Sequence, residues 1–246
     1  MNTYCFTDIH GHKELFDKIY QWLYDSSEPW QCYFLGDACD RMEYGYSIIK
    51  TLLADHRFIY LKGNHEDLFV RAAKALKQCW LEDDVTKAMA AMDAETYTLS
   101  YCWHYDVALH IQNGGLSTLI AWIADGSPMD IIGELEHLPE HMELPHDTWG
   151  KLDLSHAGHL MDNSDSFIWS REHFDEKWEG GRMIHGHTPI RSLMKRTFIE
   201  GRSTTTHPAY YQKGTKICLD TGCFSSNCIN VLNLDTFEEH FFTTLI

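Results

Sequence analysis

The sequence predicts an α/β fold with a first sheet of parallel strands and a second sheet of mixed direction, and two observations carry that prediction. Three short apolar runs near the start alternate with helically spaced segments in the order β-α-β-α-β, an arrangement that pairs strands in parallel. After Thr148, further strand-like runs return, separated by turns such as Thr221-Gly222.

The first three runs are Tyr4-Cys5-Phe6, Cys32-Tyr33-Phe34-Leu35 and Phe58-Ile59-Tyr60-Leu61. Each is apolar on both parities, as a strand covered on both faces requires. Between them, Leu15, Phe16, Ile19, Tyr20 and Leu23 repeat at helical spacing, as do Ile48, Ile49, Leu52 and Leu53. Leu68, Phe69, Ala72, Ala73 and Leu76 begin a stretch rich in Ala, Met, Leu and Trp. It reads as a helical insertion over about 67–147, with helices at 84–92, 116–124 and 129–138 and breaks at Gly114-Gly115 and Gly126-Ser127-Pro128. Strands are then expected at Leu152 to Ser155, Arg182 to Ile184, Lys216 to Leu219, Ile229 to Leu234 and Glu238 to Thr243.

A chain of 246 residues with 44% hydrophobic content can bury one core of ordinary size, so a single domain over 1–246 is expected. A net charge of −16 disfavours nucleic-acid backbones and anionic membranes as partners, while leaving room for a small, locally positive site. No apolar run approaches the ~20 residues that span a bilayer, and the N-terminus enters a strand at once, so a cytoplasmic protein is expected. The eight cysteines do not form a disulfide scaffold; Cys5, Cys32 and Cys218 sit inside strand-like runs, and Cys218, Cys223 and Cys228 lack the Cys-x-x-Cys pairing of a zinc site.

Each of the first three strands ends in metal-ligand residue types: Asp8-Ile9-His10-Gly11, Gly36-Asp37-Ala38-Cys39-Asp40-Arg41 and Gly63-Asn64-His65-Glu66. Parallel sheets present ligands beyond the carboxyl ends of their strands, so the clusters converge on one edge. His156 and His187 follow where later strands end. Neutral imidazole with carboxylate or amide oxygen suits Mn, Fe or Zn, and a shared carboxylate holds two cations ~3.5 to 4 Å apart. Asp37, at the end of the middle strand, is the natural bridge; Asn64 can bind a cation without adding charge. Any one of these residues alone would usually be a turn or capping residue, but their convergence is the wiring of a two-metal phosphoesterase.

The motifs Asp-x-His-Gly at 8–11, Gly-Asp-x-x-Asp-Arg at 36–41, Gly-Asn-His-Glu at 63–66, His-Ala-Gly at 156–158 and Gly-His-Thr at 186–188 resemble the metallophosphoesterase superfamily. Asp40-Arg41, Glu66, Leu138-Pro139 and Ile168-Trp169-Ser170-Arg171 resemble its phosphoprotein phosphatase family, in particular the bacterial and phage serine/threonine phosphatases, and Leu219-Asp220-Thr221-Gly222 resembles that family's penultimate strand and turn. The resemblance implies a calcineurin-like β-sandwich of two mixed sheets flanked by helices. It implies that Asp8, His10 and Asp37 hold one metal and that Asp37, Asn64, His156 and His187 hold the other. His185 is read as a core or positioning residue and left out of the set. His65 would be the general acid, oriented by Asp40, and Arg41, Asn64 and Arg171 would bind the phosphate. The implied cofactor is two divalent ions, with manganese expected and iron, zinc or nickel as alternatives.

The implied reaction is hydrolysis of phosphoserine and phosphothreonine in proteins or peptides, with phosphotyrosine a further candidate, through in-line attack by a hydroxide bridging the metals. The alternative is hydrolysis of dinucleoside polyphosphates such as diadenosine tetraphosphate at the same site. A protein retaining metals only as a binding module is disfavoured, because His65, Asp40 and both arginines are present. Thr7 and Met42 replace glycines common in the family. Cys39 lies between two site carboxylates and is read as a buried inert thiol whose oxidation, were it to occur, would perturb the site. The remaining histidines, among them His12, His104, His137, His141, His146 and His159, are expected to be solvated bystanders. The insertion is a candidate lining of the substrate groove; Trp103, Trp122 and Trp169 are candidate contacts there, with core packing expected for most of them. The sequence is silent on oligomeric state.

Overall fold

A computed structural model describes residues 1–81, 104–163, 166–201 and 204–244. The opening units are as expected: β1 (Asn2–Phe6), α1 (Lys13–Tyr24), β2 (Trp30–Phe34), α2 (Gly45–Ala54), β3 (Phe58–Tyr60) and α3 (Asn64–Leu81). Strands β1, β2 and β3 pair in parallel, with Phe6 opposite Phe34 and Phe34 opposite Tyr60. Two C-terminal strands, β9 (Cys228–Asn233) and β10 (Glu239–Thr243), add antiparallel on the far side of β1 and complete a mixed five-stranded sheet, order β10-β9-β1-β2-β3.

The second sheet contains β4 (His141–His146), β5 (Gly150–Ser155), β6 (Arg182–His185), β7 (Ala209–Tyr211) and β8 (Lys216–Cys218), in the order β4-β5-β6-β8-β7. Its three central strands are parallel and its two edge strands antiparallel, so it too is mixed.

Strand alternation assigns each side chain to a layer. Cys5, Tyr33, Leu35 and Leu61 point toward the second sheet and meet Leu152, Leu154, Ile184 and Ile217 in the core between the sheets. Their alternates Tyr4, Phe6, Cys32 and Phe34 turn the other way, against Leu15, Phe16 and Ile19 of α1 and Ile48, Ile49 and Leu52 of α2. Each such large apolar side chain contributes roughly 1.5 to 3 kcal/mol on burial. On the outer face of the second sheet, Tyr211 and Cys218 pack with Phe174 and with Ile190 and Leu193 of α7 (Ile190–Leu193). The expected α/β sandwich of two mixed sheets flanked by helices is the fold observed.

The insertion is shorter than expected. α4 (Tyr105–Gln112), α5 (Leu116–Ala124) and α6 (Met129–Glu136) are helices that bury Val107, Leu119, Trp122, Ile132 and Leu135 against Phe69, Ala72 and Leu76 of α3. His141–His146 is strand β4 instead, at the edge of the second sheet. Pro145 disguises it, yet an edge strand tolerates proline because its missing N–H faces away from the ladder. Met142 and Leu144 are the alternate residues that pack inward. The three-residue β7 was also not foreseen. The helix expected at 84–92 and Trp103 lie outside the described residues. Among the described residues, no helix is long and apolar enough to cross a membrane.

Candidate metal and phosphate site

The site forms where the carboxyl ends of β1, β2, β3, β5 and β6 meet. The loops leaving these strands are tight, and Asp8, His10, Asp37, Asp40, Arg41 and His187 all take left-handed backbone conformations, with φ between 45° and 69°. Such φ values are uncommon for residues other than glycine and store strain of order 1 kcal/mol or more each. Gly186 lets the second sheet approach this edge: a Cβ there would lie 2.1 Å from Asp8 Oδ2. Thr7, standing where relatives commonly carry glycine, donates from Oγ1 to Asp8 Oδ2 at 2.7 Å and so fixes that carboxylate.

All the expected metal ligands come together, and all are buried: Asp8, His10, Asp37, Asn64, His156 and His187. His10 Nε2 lies 3.5 Å from Asp37 Oδ2 and 3.9 Å from Asp8 Oδ1. On the other side, Asn64 Oδ1 lies 2.9 Å from both His156 Nε2 and His187 Nδ1, while Asp37 Oδ1 is 3.4 Å from His156 Nε2. Asp37 thus sits between two groups of donors. Two cation-sized clusters share it, His10 with Asp37 and His65, and Asp37 with His156 and His187.

The hydrogen-bond network aims these ring nitrogens and oxygens at common points. His156 Nδ1 donates to the Leu35 carbonyl at 2.8 Å and His10 Nδ1 to the Cys39 carbonyl at 2.9 Å, which leaves the Nε2 lone pair of each ring facing oxygen acceptors. Lone pairs facing lone pairs are stable only with positive charge between them, either a proton on the ring or a metal ion. Burial alone would disfavour a protonated His156, yet Asp37 overrides it and draws the imidazole up to about 10. Burial holds His10 at about 3 and His187 at about 2, both neutral and competent as ligands. Burial opposes ionisation of Asp37, but the His156 and His65 imidazoles keep its carboxyl well below the usual range. The donor set therefore fits two divalent ions of the borderline transition-metal kind.

His65 stands apart from this set although distance groups it with His10 and Asp37. Its Nδ1 donates to Asp40 Oδ2 at 2.7 Å, and its Nε2 lies 3.3 Å from Arg41 Nη2 and 3.8 Å from Asp37 Oδ2. A guanidinium at Nε2 disfavours a metal cation there. Burial lowers the proton affinity of His65, but Asp37 and then Asp40 outweigh it and the net shift is upward. Arg41 is exposed, with its guanidinium 4.5 Å above the Phe224 ring. Arg171 is at the rim: burial and Arg196 lower its pKa, and Asp220, Asp37 and Asp8 pull the other way, so it lies within electrostatic reach of the ligands. His185 is buried behind the site with both nitrogens engaged, Nδ1 on the Gly186 carbonyl and Nε2 on the Tyr211 hydroxyl.

Several contacts at the site were not foreseen. Asp40 is held by His110 Nε2 at 2.9 Å from both its oxygens and by Thr118 Oγ1 at 2.7 Å, both from the inserted helices. Gly115 makes room for that imidazole, since a Cβ would lie 2.1 Å from His110 Nε2. No local pattern marks His110, because its partner lies 70 positions away. Glu66 is a buried carboxylate that accepts from the amides of Asp37, Ala38 and Gly63, each at 2.8 Å, and fixes the backbone of the bridging ligand. The Cys39 thiol faces Glu66 Oε1 at 3.8 Å; burial, then Asp40 and Glu66, push its pKa well above the ordinary thiol value, so it is inert. Contrary to expectation, His12 and His159 are buried, with His12 Nε2 3.2 Å from Asn227 Oδ1 and His159 Nε2 2.8 Å from Asp153 Oδ1. Trp122 is core; Trp169 is exposed and meets the His187 ring edge-on at 6.1 Å.

A search of curated protein sequences finds no match. Among solved structures, a putative diadenosine tetraphosphatase superposes with TM-score 0.58 at 14% identity over 98% of this chain and 93% of its own. A metallophosphoesterase from Sphaerobacter thermophilus gives 0.53 at 12% identity over 100% and 89%. The cold-active protein-tyrosine phosphatase of a psychrophile, Shewanella sp., gives 0.55 at 12% identity over 98% and 77%. These likenesses establish the fold. The family model of the calcineurin-like phosphoesterases matches residues 1–191 of the sequence, and the chain belongs to that family of metal-dependent phosphoester hydrolases, which use a dinuclear divalent metal site.

Proposed function

We propose that this chain is a phosphoprotein phosphatase, a single catalytic domain that hydrolyses phosphoserine, phosphothreonine or phosphotyrosine in proteins with two divalent metals, manganese being the working choice. The observation that carries this reading is the Asp40–His65–Arg41 arrangement beside the bridging carboxylate: Nδ1 of His65 bound at 2.7 Å, Nε2 facing the site, and a guanidinium within 3.3 Å. Asp8, His10 and Asp37 would hold one ion and Asp37, Asn64, His156 and His187 the other. When bound, the ions would acidify water for attack on phosphorus and withdraw charge from the phosphate oxygens. Asp40 keeps one proton on His65 Nδ1, so the transferable proton is carried by Nε2 and passes to the leaving oxygen. Arg41 can swing from Nε2 to grip two phosphate oxygens; Arg171 can close on the phosphate from the His187 side.

A second reading, hydrolysis of dinucleoside polyphosphates, is favoured by two exposed aromatic rings, Phe224 against His10 and Trp169 against His187. A nucleobase or the ring of phosphotyrosine could stack there. Turnover of phosphoserine, phosphothreonine and phosphotyrosine peptides should exceed that of diadenosine tetraphosphate when measured side by side with manganese. Strong preference for the dinucleotide would overturn the phosphoprotein assignment and leave the metal chemistry intact. The six described cysteines with described side chains are free, buried thiols, which supports a reducing, cytoplasmic setting.

A further inference from the structure

We propose that His141, Asp153 and His159 form a further metal site, separate from the catalytic pair, that takes one divalent ion of the zinc type. Leu152 and Leu154 face the core between the sheets, so Asp153 must face outward from β5. There it meets His141 from β4 and His159 from the loop after His156. His159 Nε2 lies 2.8 Å and His141 Nε2 3.1 Å from the same oxygen, Asp153 Oδ1. Asp153 and His159 are buried and His141 is half-buried, so the group opens to solvent on one side.

The network around His159 calls for a positive charge at Nε2, which a metal ion can supply. Its Nδ1 lies 2.8 Å from the Leu160 carbonyl, an acceptor only, so Nδ1 carries the hydrogen. In the neutral ring Nε2 is then a bare lone pair, and it points at a carboxylate oxygen. Two electron-rich atoms at that distance repel unless a second proton or a metal ion neutralises them. The same signature marks His156 against Asn64 and Asp37 in the catalytic site. Aromatic walls hold both rings in place: Phe167 stacks on His141 at 4.6 Å, and Phe167 and Trp178 meet His159 edge-on at 4.7 and 5.1 Å. Lys151 Nζ, 3.7 Å from Asp153 Oδ2, covers the other oxygen, so the carboxylate has one oxygen to give to an ion.

Two imidazoles and one carboxylate oxygen, with a fourth position open to water, match zinc or cobalt and suit calcium and magnesium poorly. An ion there would join edge strand β4 to β5 and to the segment that carries His156, bracing a ligand of the catalytic centre from behind.

The test counts metal. The chain is stripped with chelator, equilibrated with zinc and measured by mass spectrometry as wild type, His141→Phe and Asp153→Asn; His141→Phe keeps the ring on Phe167 and removes the donor. Both variants are expected to hold one ion per chain fewer than wild type. The same comparison in an Asp37→Asn background isolates this site from the catalytic pair. Cobalt in Asp37→Asn should give the intense visible bands of a four-coordinate ion, lost in Asp37→Asn/His141→Phe. If the variants hold as much zinc as their parents, or the cobalt bands persist without His141, His141 and His159 only hydrogen-bond to Asp153 and the site does not exist. Failure of the dinuclear reading shows separately, as equal metal in wild type and Asp37→Asn.

Discussion

Asp40 is a buried carboxylate held by three side chains, and its partners explain what it does. His65, His110 and Thr118 all direct hydrogens at its oxygens, and although burial opposes ionisation, His110 and His65 keep it charged. A fixed anion at His65 Nδ1 raises the basicity of Nε2 and sets its tautomer. His65→Asn should therefore lower kcat for an alkyl phosphate by about 10²- to 10⁴-fold while spectrometric metal content stays unchanged. An undiminished kcat with a poor leaving group would remove His65 from the role of acid. The candidate metal ligands and the His65–Asp40 pair could be picked out in the sequence because each sits in a short motif at a strand end. His110 and Thr118 could not, since nothing near them in the chain announces a carboxylate contributed from β2's loop.

The strands that could be read are those covered on both faces, such as β1 and β2, where apolar residues run unbroken. β4 escaped because only Met142 and Leu144 face the core and its other residues are polar or proline. β8 contains a different surprise, the fully buried Lys216, whose Nζ donates to the carbonyls of His173 and, at 2.7 Å, Glu176 and so ties the sheet to the turn at His173–Asp175. Burial lowers its ammonium to about 8. The unfolded chain keeps that proton until ~10.4, so between those values the unfolded state binds more protons and the lysine's contribution to stability rises with pH. Relative to Lys216→Met, the wild type should gain about 3 kcal/mol at most between pH 7.5 and 10.5, measured by urea unfolding. A gap between the two proteins that does not move with pH would show that Lys216 titrates as if in water.

Neither sheet holds a complete site: Asp8, His10, Asp37 and Asn64 come from the ends of one, His156 and His187 from the other. Ions bound between them join the two halves of the sandwich and relieve the repulsion of Asp8 and Asp37, so ion binding and folding are linked. At metal concentrations about 100-fold above Kd the linkage is worth about 2.7 kcal/mol, and chelation should lower Tm by about 5 to 10 °C, restored by manganese. An unchanged Tm would argue that the donors gain nothing from an ion. The overall architecture was legible because hydrophobic alternation and strand-end motifs point to the same layers. The left-handed backbone at Asp8, His10, Asp37, Asp40, Arg41 and His187 was not, since conformation at a loop leaves no mark on composition. That backbone sets a trap for protein engineers. Replacing Arg41 or His10 with glycine would relax the loop and tempt any screen for heat resistance, yet each such gain would disarm the enzyme.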